Sequence, residues 1–147
     1  MEFTELIATF AARHGVAGLA AEDGAAALDI DGIILTMVAA NDWVTLSADI
    51  GEAPAEGAAA FADLLLETNL QTEAFFAKTA DGVYVAVRRL PLPLADADVF
   101  DAAVEGLVNL AESWRKLLAD FRPAAKAAAQ SAAASQPTFG TSGFMQV

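Results

Sequence analysis

The stretch that decides the fold covers residues 83–121 and reads VYVAVRRLPLPLADADVFDAAVEGLVNLAESWRKLLADF. Residues 83–90 alternate between apolar and other side chains, as in a β-strand whose two faces differ. Pro91 and Pro93 end this strand, because proline has no backbone N–H to donate to a sheet ladder. The sequence therefore predicts a strand that stops abruptly before a new element begins.

The second half of this stretch predicts a long helix that reaches about residue 121. Asp96 or Asp98 can cap its first turn. Its apolar residues recur at alternating steps of four and three, and they are Phe100, Val104, Leu107, Ala111, Trp114, Leu118 and Phe121. About three heptads are too few for a coiled coil, so we expect this stripe to pack across a sheet.

Three further strands are predicted upstream, joined by two tight turns. Residues 26–30 alternate, and Asp31-Gly32 is a strong signal for a two-residue hairpin. Residues 33–40 are apolar on both faces, Asn41-Asp42 forms the next turn, and residues 43–50 alternate again. This pattern indicates an antiparallel meander whose middle strand is the most hydrophobic.

Two more helices and one more strand complete the predicted order. Residues 3–14 and 58–68 show helical spacing of apolar residues, and residues 74–79 form a strand that a turn joins to 83–90. The predicted order is α-βββ-α-ββ-α, an α+β fold with a twisted antiparallel sheet packed with helices. We assign it to one domain, residues 1–122, followed by an alanine-rich, low-complexity C-terminal tail, 123–147.

Composition narrows the class of protein. Hydrophobic residues make up 56% of the chain, yet no apolar run reaches the roughly 18 residues that a membrane span needs. There are no cysteines, which excludes disulfides and thiolate chemistry, and the first residues lack the basic start of a secretory signal. We therefore expect no membrane span and a cytoplasmic location.

The charge disfavours nucleic acid as a partner. The net charge is −12, and Lys126 is the only charged residue in 123–147, which leaves −13 for residues 1–122. Such a body is repelled by phosphate backbones and anionic lipids. The adjacent Arg88 and Arg89 have two interpretations: local salt bridges within this acidic body, or contact with an acidic stretch of a partner.

No motif for catalysis or for cofactor binding is present. His14 is the only histidine and ends the first predicted helix, where packing at the helix end explains it. A calcium loop containing Gly32 would need ligands at Ala27 and Val38, which cannot coordinate calcium. Phosphate-binding glycine loops are missing as well. We therefore expect no catalytic residues, no metal and no cofactor, and interpret the chain as a binding protein rather than an enzyme.

Several strings in this order resemble the Tir-chaperone family, the class I type III secretion chaperones. Residues 83–121 are similar to the family's closing pattern, a strand ending in an apolar-Pro-Leu step and a long helix with AE.W near its end. ALDIDGIILTMVAANDWVTLSADIG resembles its first three strands, and FADLLLETNL its middle helix. The resemblance covers about residues 3–122 and does not include the tail.

This resemblance implies a homodimer in the bacterial cytoplasm. Such a dimer binds the N-terminal chaperone-binding segment of a secreted effector in extended form and keeps it soluble and secretion-competent without ATP. A non-catalytic dimeric adaptor or escort for another protein, and an enzyme of unrecognised type, remain alternatives.

The resemblance also implies roles for particular residues. The first helix and first three strands would bind the effector, and the middle helix and later strands would form the dimer interface. Which face of strand 33–40 points outward stays open at this point. The expected effector-binding residues are Phe3, Ile7, Phe10, Ile34, Thr36 and Val38, and the expected dimer residues are Leu65, Phe76, Tyr84 and Ala86.

Overall fold

A computed structural model describes residues 1–121, and the predicted tail lies outside these residues. The order of elements is α1 Phe3–His14, β1 Ala25–Ile30, β2 Ile33–Ala40, β3 Trp43–Glu52, α2 Ala58–Thr68, β4 Phe75–Lys78, β5 Val83–Pro91 and α3 Ala97–Asp120. A short 3-10 turn, Leu92–Leu94, joins β5 to α3. The predicted α+β order is therefore confirmed.

The five strands form a single antiparallel sheet in the order β1-β2-β3-β5-β4. β5 therefore lies between β3 and β4, and it pairs with both. β1 and β4 are the two edges. The last strand in the chain is thus part of the interior of the sheet, which explains why residues 83–121 carry so much of the fold.

Two hairpin turns set the register of the first three strands. Asp31 and Gly32 have φ of 53° and 88°, and Asn41 and Asp42 have φ of 53° and 64°. Two successive residues with positive φ match the twist of the strands that such turns join. The Asp29 carboxylate also accepts a hydrogen bond of 2.7 Å from the Gly32 backbone N–H. The Asp29–Gly32 string is therefore a hairpin turn, as predicted.

The core lies on one face of the sheet. Asp96 caps α3 by accepting a hydrogen bond from the Val99 backbone N–H at 2.8 Å. From there α3 crosses β2, β3 and β5. Its Leu118 side chain comes within 3.1 Å of where a Cβ would stand on Gly51, so a residue with a Cβ there would require Leu118 to shift by a few tenths of an ångström. Five buried residues of α3 form its sheet-facing stripe, namely Phe100, Ala103, Val104, Leu107 and Ala111.

The other two helices pack on the same face as α3. In α1, the Phe10 ring meets the Phe100 ring edge-on at 5.8 Å between centroids. In α2, the Phe61 ring contacts Tyr84, Trp114 and Phe121 at 5.2 to 6.1 Å. Because all three helices cover one face, the opposite face of the sheet has no helix of residues 1–121 packed on it. We call that opposite face the outer face.

Replacing Phe61 with alanine is predicted to destabilise the fold strongly. Phe61 is fully buried at the junction of α2, β5 and α3, and its removal leaves a cavity. The expected loss is about 3–5 kcal/mol of unfolding free energy, measured by urea denaturation at fixed protein concentration. Leu94→Ala is the control, since Leu94 is 74% exposed. Equal losses in the two variants would contradict the packing described.

Candidate functional site

The outer face is an apolar surface with a polar centre. Its exposed large side chains are Ile34, Val38, Trp43 and Phe75, each 39 or 40% exposed. Thr36 and Ser47 lie directly opposite each other between them, on β2 and β3. Large apolar side chains exposed on a sheet face that no helix covers are typical of sites where proteins bind one another.

Alternation along β2 settles which of its faces points outward. Ile33, Leu35 and Met37 are buried beneath the helices, so Ile34, Thr36 and Val38 point to the other side. The structure therefore brings together the three β2 residues that were expected to bind a partner. Val38 faces Thr45 of β3, and Thr45 in turn faces Arg89 of β5.

The three α1 residues of the same prediction occupy a different place. Phe3, Ile7 and Phe10 are at most 6% exposed and belong to the core cluster. They were expected on the surface because an amphipathic terminal helix shows the same spacing whether its stripe meets a partner or its own sheet. The structure corrects this expectation: these side chains hold α1 against its own domain and offer no surface to a partner.

A polar network fixes the end of α1 to α3. The Arg13 guanidinium donates to Asp98 at 2.9 Å and to Asp101 at 2.8 Å. These bonds, led by the one to Asp101, raise the pKa of Arg13 above its ordinary value. His14 Nε2 lies 3.5 Å from Asp101, and the His14 ring packs 4.4 Å from that of Phe10. His14 thus has a structural contact at the helix end, as its position predicts.

The four residues expected at the dimer interface are also buried in their own chain. Leu65, Phe76, Tyr84 and Ala86 are at most 6% exposed. Beside them, however, α2 exposes Leu66 at 64%, and Leu70 just after the helix is 89% exposed. A shallow groove between α2 and β4 includes Leu66 in its wall. The four expected residues therefore face inward, next to exposed leucines, and their role in a dimer stays a prediction.

One pair on the outer face was not selected from the sequence. The Arg89 guanidinium lies over the Trp43 ring, 4.7 Å from its centroid, on β5 and β3. The neighbouring Arg88 points to the helix-covered side and pairs with Glu73 at 3.0 Å. Alternation in the sequence could have placed residues 43, 45 and 47 on one face of β3. It could not have shown that β5 lies next to β3, and only that strand order brings Arg89 beside Trp43.

The described residues contain no arrangement suited to metal chemistry. Within residues 1–121, no group of three acidic or histidine side chains is placed to hold a metal ion. In the same part of the chain, none of the helices is both long and apolar enough to cross a membrane.

Comparison with known proteins gives one family and several similar folds. The model of the Tir chaperone protein (CesT) family matches residues 5–115. No curated protein sequence matches the chain significantly.

A chain of the ExsC–ExsE complex has a similar structure, with a TM-score of 0.70, 22% identity, and coverage of 80% of this chain and 97% of that one. A chain of the complex between the Yersinia pestis type III secretion chaperone SycH and a YscM2 fragment has a TM-score of 0.63 and 17% identity, and the match covers 77% of this chain and 99% of that one. A chain of the ExoU–SpcU complex of Pseudomonas aeruginosa has a TM-score of 0.62 and 18% identity, and the match covers 75% of this chain and 95% of that one. At these identities the structural likeness establishes the fold.

Aspartate substitutions at Ile7 and Val38 are predicted to destabilise the fold to very different extents. Ile7→Asp places a carboxylate in the core, where it has no partner, and we expect a loss of more than about 4 kcal/mol. Val38→Asp leaves the new charge in water, so the loss should stay within about 1 kcal/mol. Circular dichroism and urea denaturation measure both. A stably folded Ile7→Asp variant would contradict the burial of α1.

Proposed function

The chain belongs to the Tir chaperone protein (CesT) family, and from this premise we propose that it is a chaperone for a type III secretion effector. It binds the effector's N-terminal chaperone-binding segment in extended form, and it keeps the effector soluble and secretion-competent without ATP. Residues 1–122 form the chaperone domain in this proposal, and residues 123–147 are a separate tail. The observation that carries the proposal is the exposed apolar outer face.

The outer face suits an extended ligand better than a compact one. Its apolar side chains are spread over β2, β3 and β4 rather than gathered in a deep pocket. An extended segment can place alternate side chains on such a surface. β1 and β4 are edge strands of the sheet, and an edge can also hydrogen-bond to the main chain of an added strand. Ile34, Thr36 and Val38 are the β2 residues that we assign to this contact.

The similar structures support a binding role because they are complexes of two proteins. One is the HopA1–SchA chaperone–effector complex, a chain of which has a fold similar to this one, with a TM-score of 0.66 and 17% identity. The ligands in these complexes are known only as ligands of those proteins. For this chain, the shared family and the shared fold favour a ligand of the same class, a secreted effector protein.

A homodimer in the bacterial cytoplasm is part of the proposal. Leu66 and Leu70 are large apolar side chains exposed to water, and burying them is favourable. The same surface of a second copy would cover them. The buried Leu65, Phe76, Tyr84 and Ala86 would support this interface from beneath. The proposal includes no catalytic step and no cofactor, because its function is binding alone.

Val38→Asp is predicted to weaken effector binding at least tenfold. The charge would have to be buried beneath the bound segment, and loss of one central apolar contact costs more than about 1 kcal/mol. The measurement is calorimetric titration with the N-terminal region of a candidate effector, chosen by searching the neighbouring genes for a secreted protein. Leu117→Asp is the matched control, because Leu117 is 40% exposed on α3, on the helical side. Equal affinities for wild type and a folded Val38→Asp variant would remove the outer face from the site.

Leu66→Asp and Leu70→Asp together are predicted to convert a dimer into a monomer. Two carboxylates on each copy would meet two on the other, and both would lose water on association. Light scattering at micromolar concentration measures the mass, with Leu94→Asp as a control at another exposed leucine. A wild-type chain that is monomeric under these conditions would contradict the proposed dimer.

A further inference from the structure

The two adjacent arginines of β5 have different surroundings. Arg88 points to the helical side, where Glu73 neutralises it at 3.0 Å. Arg89 points to the outer face, is exposed, and lies against the Trp43 ring at 4.7 Å. Within residues 1–121, no carboxylate oxygen lies within 4 Å of the Arg89 guanidinium, although Arg13 and Arg88 both have such partners.

Arg89 has no carboxylate partner among residues 1–121 although the body around it is strongly acidic. Residues 1–121 contain all 20 acidic side chains of the protein and only six lysines and arginines. Of the four arginines in residues 1–121, Arg13 and Arg88 pair with carboxylates, whereas Arg89 and Arg115 do not. Arg89 instead has an aromatic ring on one of its planar faces, which holds the guanidinium in place while leaving its edge N–H groups free to donate.

Arg89 also has a distinct position on the outer face. Its row across the sheet runs from Val38 through Thr45 to Arg89. Strands lie about 4.8 Å apart, so Val38 and Arg89 are about 10 Å from each other. The acids Asp29 and Asp49 lie toward the opposite end of this face. The outer face therefore has one cationic end and one acidic end.

From these observations we propose that Trp43 and Arg89 form a specificity site for a carboxylate side chain of the bound segment. This inference rests on the proposed function and adds a chemical requirement to it. The segment carries an aspartate or glutamate two to four residues from an apolar side chain that packs on Val38. The Arg89 edge donates to that carboxylate, while Asp29 and Asp49 repel a carboxylate at the other end. The pair thereby sets the direction in which the segment lies.

Charge complementarity favours this occupant over the chain's own tail. Residues 122–147 contain Arg122 and Lys126 and no acidic side chain, so they offer Arg89 no carboxylate side chain. A second copy of the chain does carry carboxylates. If a second copy covered Arg89, the mass of the assembly would change when the charge of Arg89 is reversed.

The test uses a random library of twelve-residue peptides displayed on phage and selected against the immobilised full chain. We expect the wild type to enrich peptides with aspartate or glutamate near an apolar residue. Arg89→Glu should lose this enrichment and favour lysine or arginine. Arg88→Glu is the matched control, since it makes the same charge change at the adjacent position on the other side of the sheet. It should enrich the same peptides as the wild type.

A selected peptide then gives the size of the effect. Changing its acidic residue to the corresponding amide should weaken binding to the wild type about five- to tenfold, a typical value for one exposed charge-assisted contact. The same change in the peptide should leave its affinity for the Arg89→Gln variant unchanged. Light scattering of each variant measures the oligomeric state in parallel.

The outcomes separate this inference from the proposed function. Peptides that bind through Val38 but show no preference for an acid, or a preference that Arg89→Glu leaves unchanged, would overturn the specificity site alone. Failure to select any peptide would overturn it as well, while titration of the full effector region would still test the proposed function. A changed mass in Arg89→Glu would assign Arg89 to an interface between copies of the chain.

Discussion

The fold depends on a one-sided arrangement in which three helices share a single face of a five-stranded sheet. Side chains of a strand alternate between two faces, so a strand that is apolar throughout cannot direct all of its residues to one core. β2 is close to this case, because Thr36 is its only polar residue. Leu35 and Met37 are fully covered by helices, and Ile34 and Val38 are consequently left on the outer face. The exposed apolar surface is therefore a direct result of where the core lies.

The acidity of the protein complements this arrangement. A chain with an uncovered apolar face is prone to associate with itself, and like charges on each copy oppose that association at long range. The carboxylates are concentrated in the folded body, whereas apolar side chains and small hydroxyls occupy most of the outer face. The charged side chains of the outer face, Asp29, Asp49 and Arg89, lie toward its two ends, and hydroxyl side chains stand between its apolar ones.

The elements could be predicted from the sequence because their signals are local. Asp31-Gly32 specifies a hairpin by backbone conformation alone, and the four-and-three spacing from Phe100 onward specifies a helix. The positions of α1 and β5 could not be predicted in this way. The stripe containing Ile7 and Phe10 would look the same facing a partner or the core, and α3 decides between the two. The contact of Arg89 with Trp43 requires that β5 lie beside β3, which only the assembled sheet determines. On β2, alternation limits the choice to two faces, and the expected residues Ile34, Thr36 and Val38 share the outward one, while their contact with a partner stays a prediction.

The contact between the first and last helices has a consequence for how the chain folds as it is made. Arg13 meets Asp98, 85 residues later in the sequence, and Phe10 meets the next helical turn of α3. At ribosomal rates of 5 to 20 residues per second, roughly 4 to 17 s pass between synthesis of the two partners. During this interval the apolar stripe of α1 has no α3 against which to pack. Closure of the core is therefore a late event of translation, and the newly made chain passes through a stage in which it is itself a protein with an uncovered hydrophobic segment.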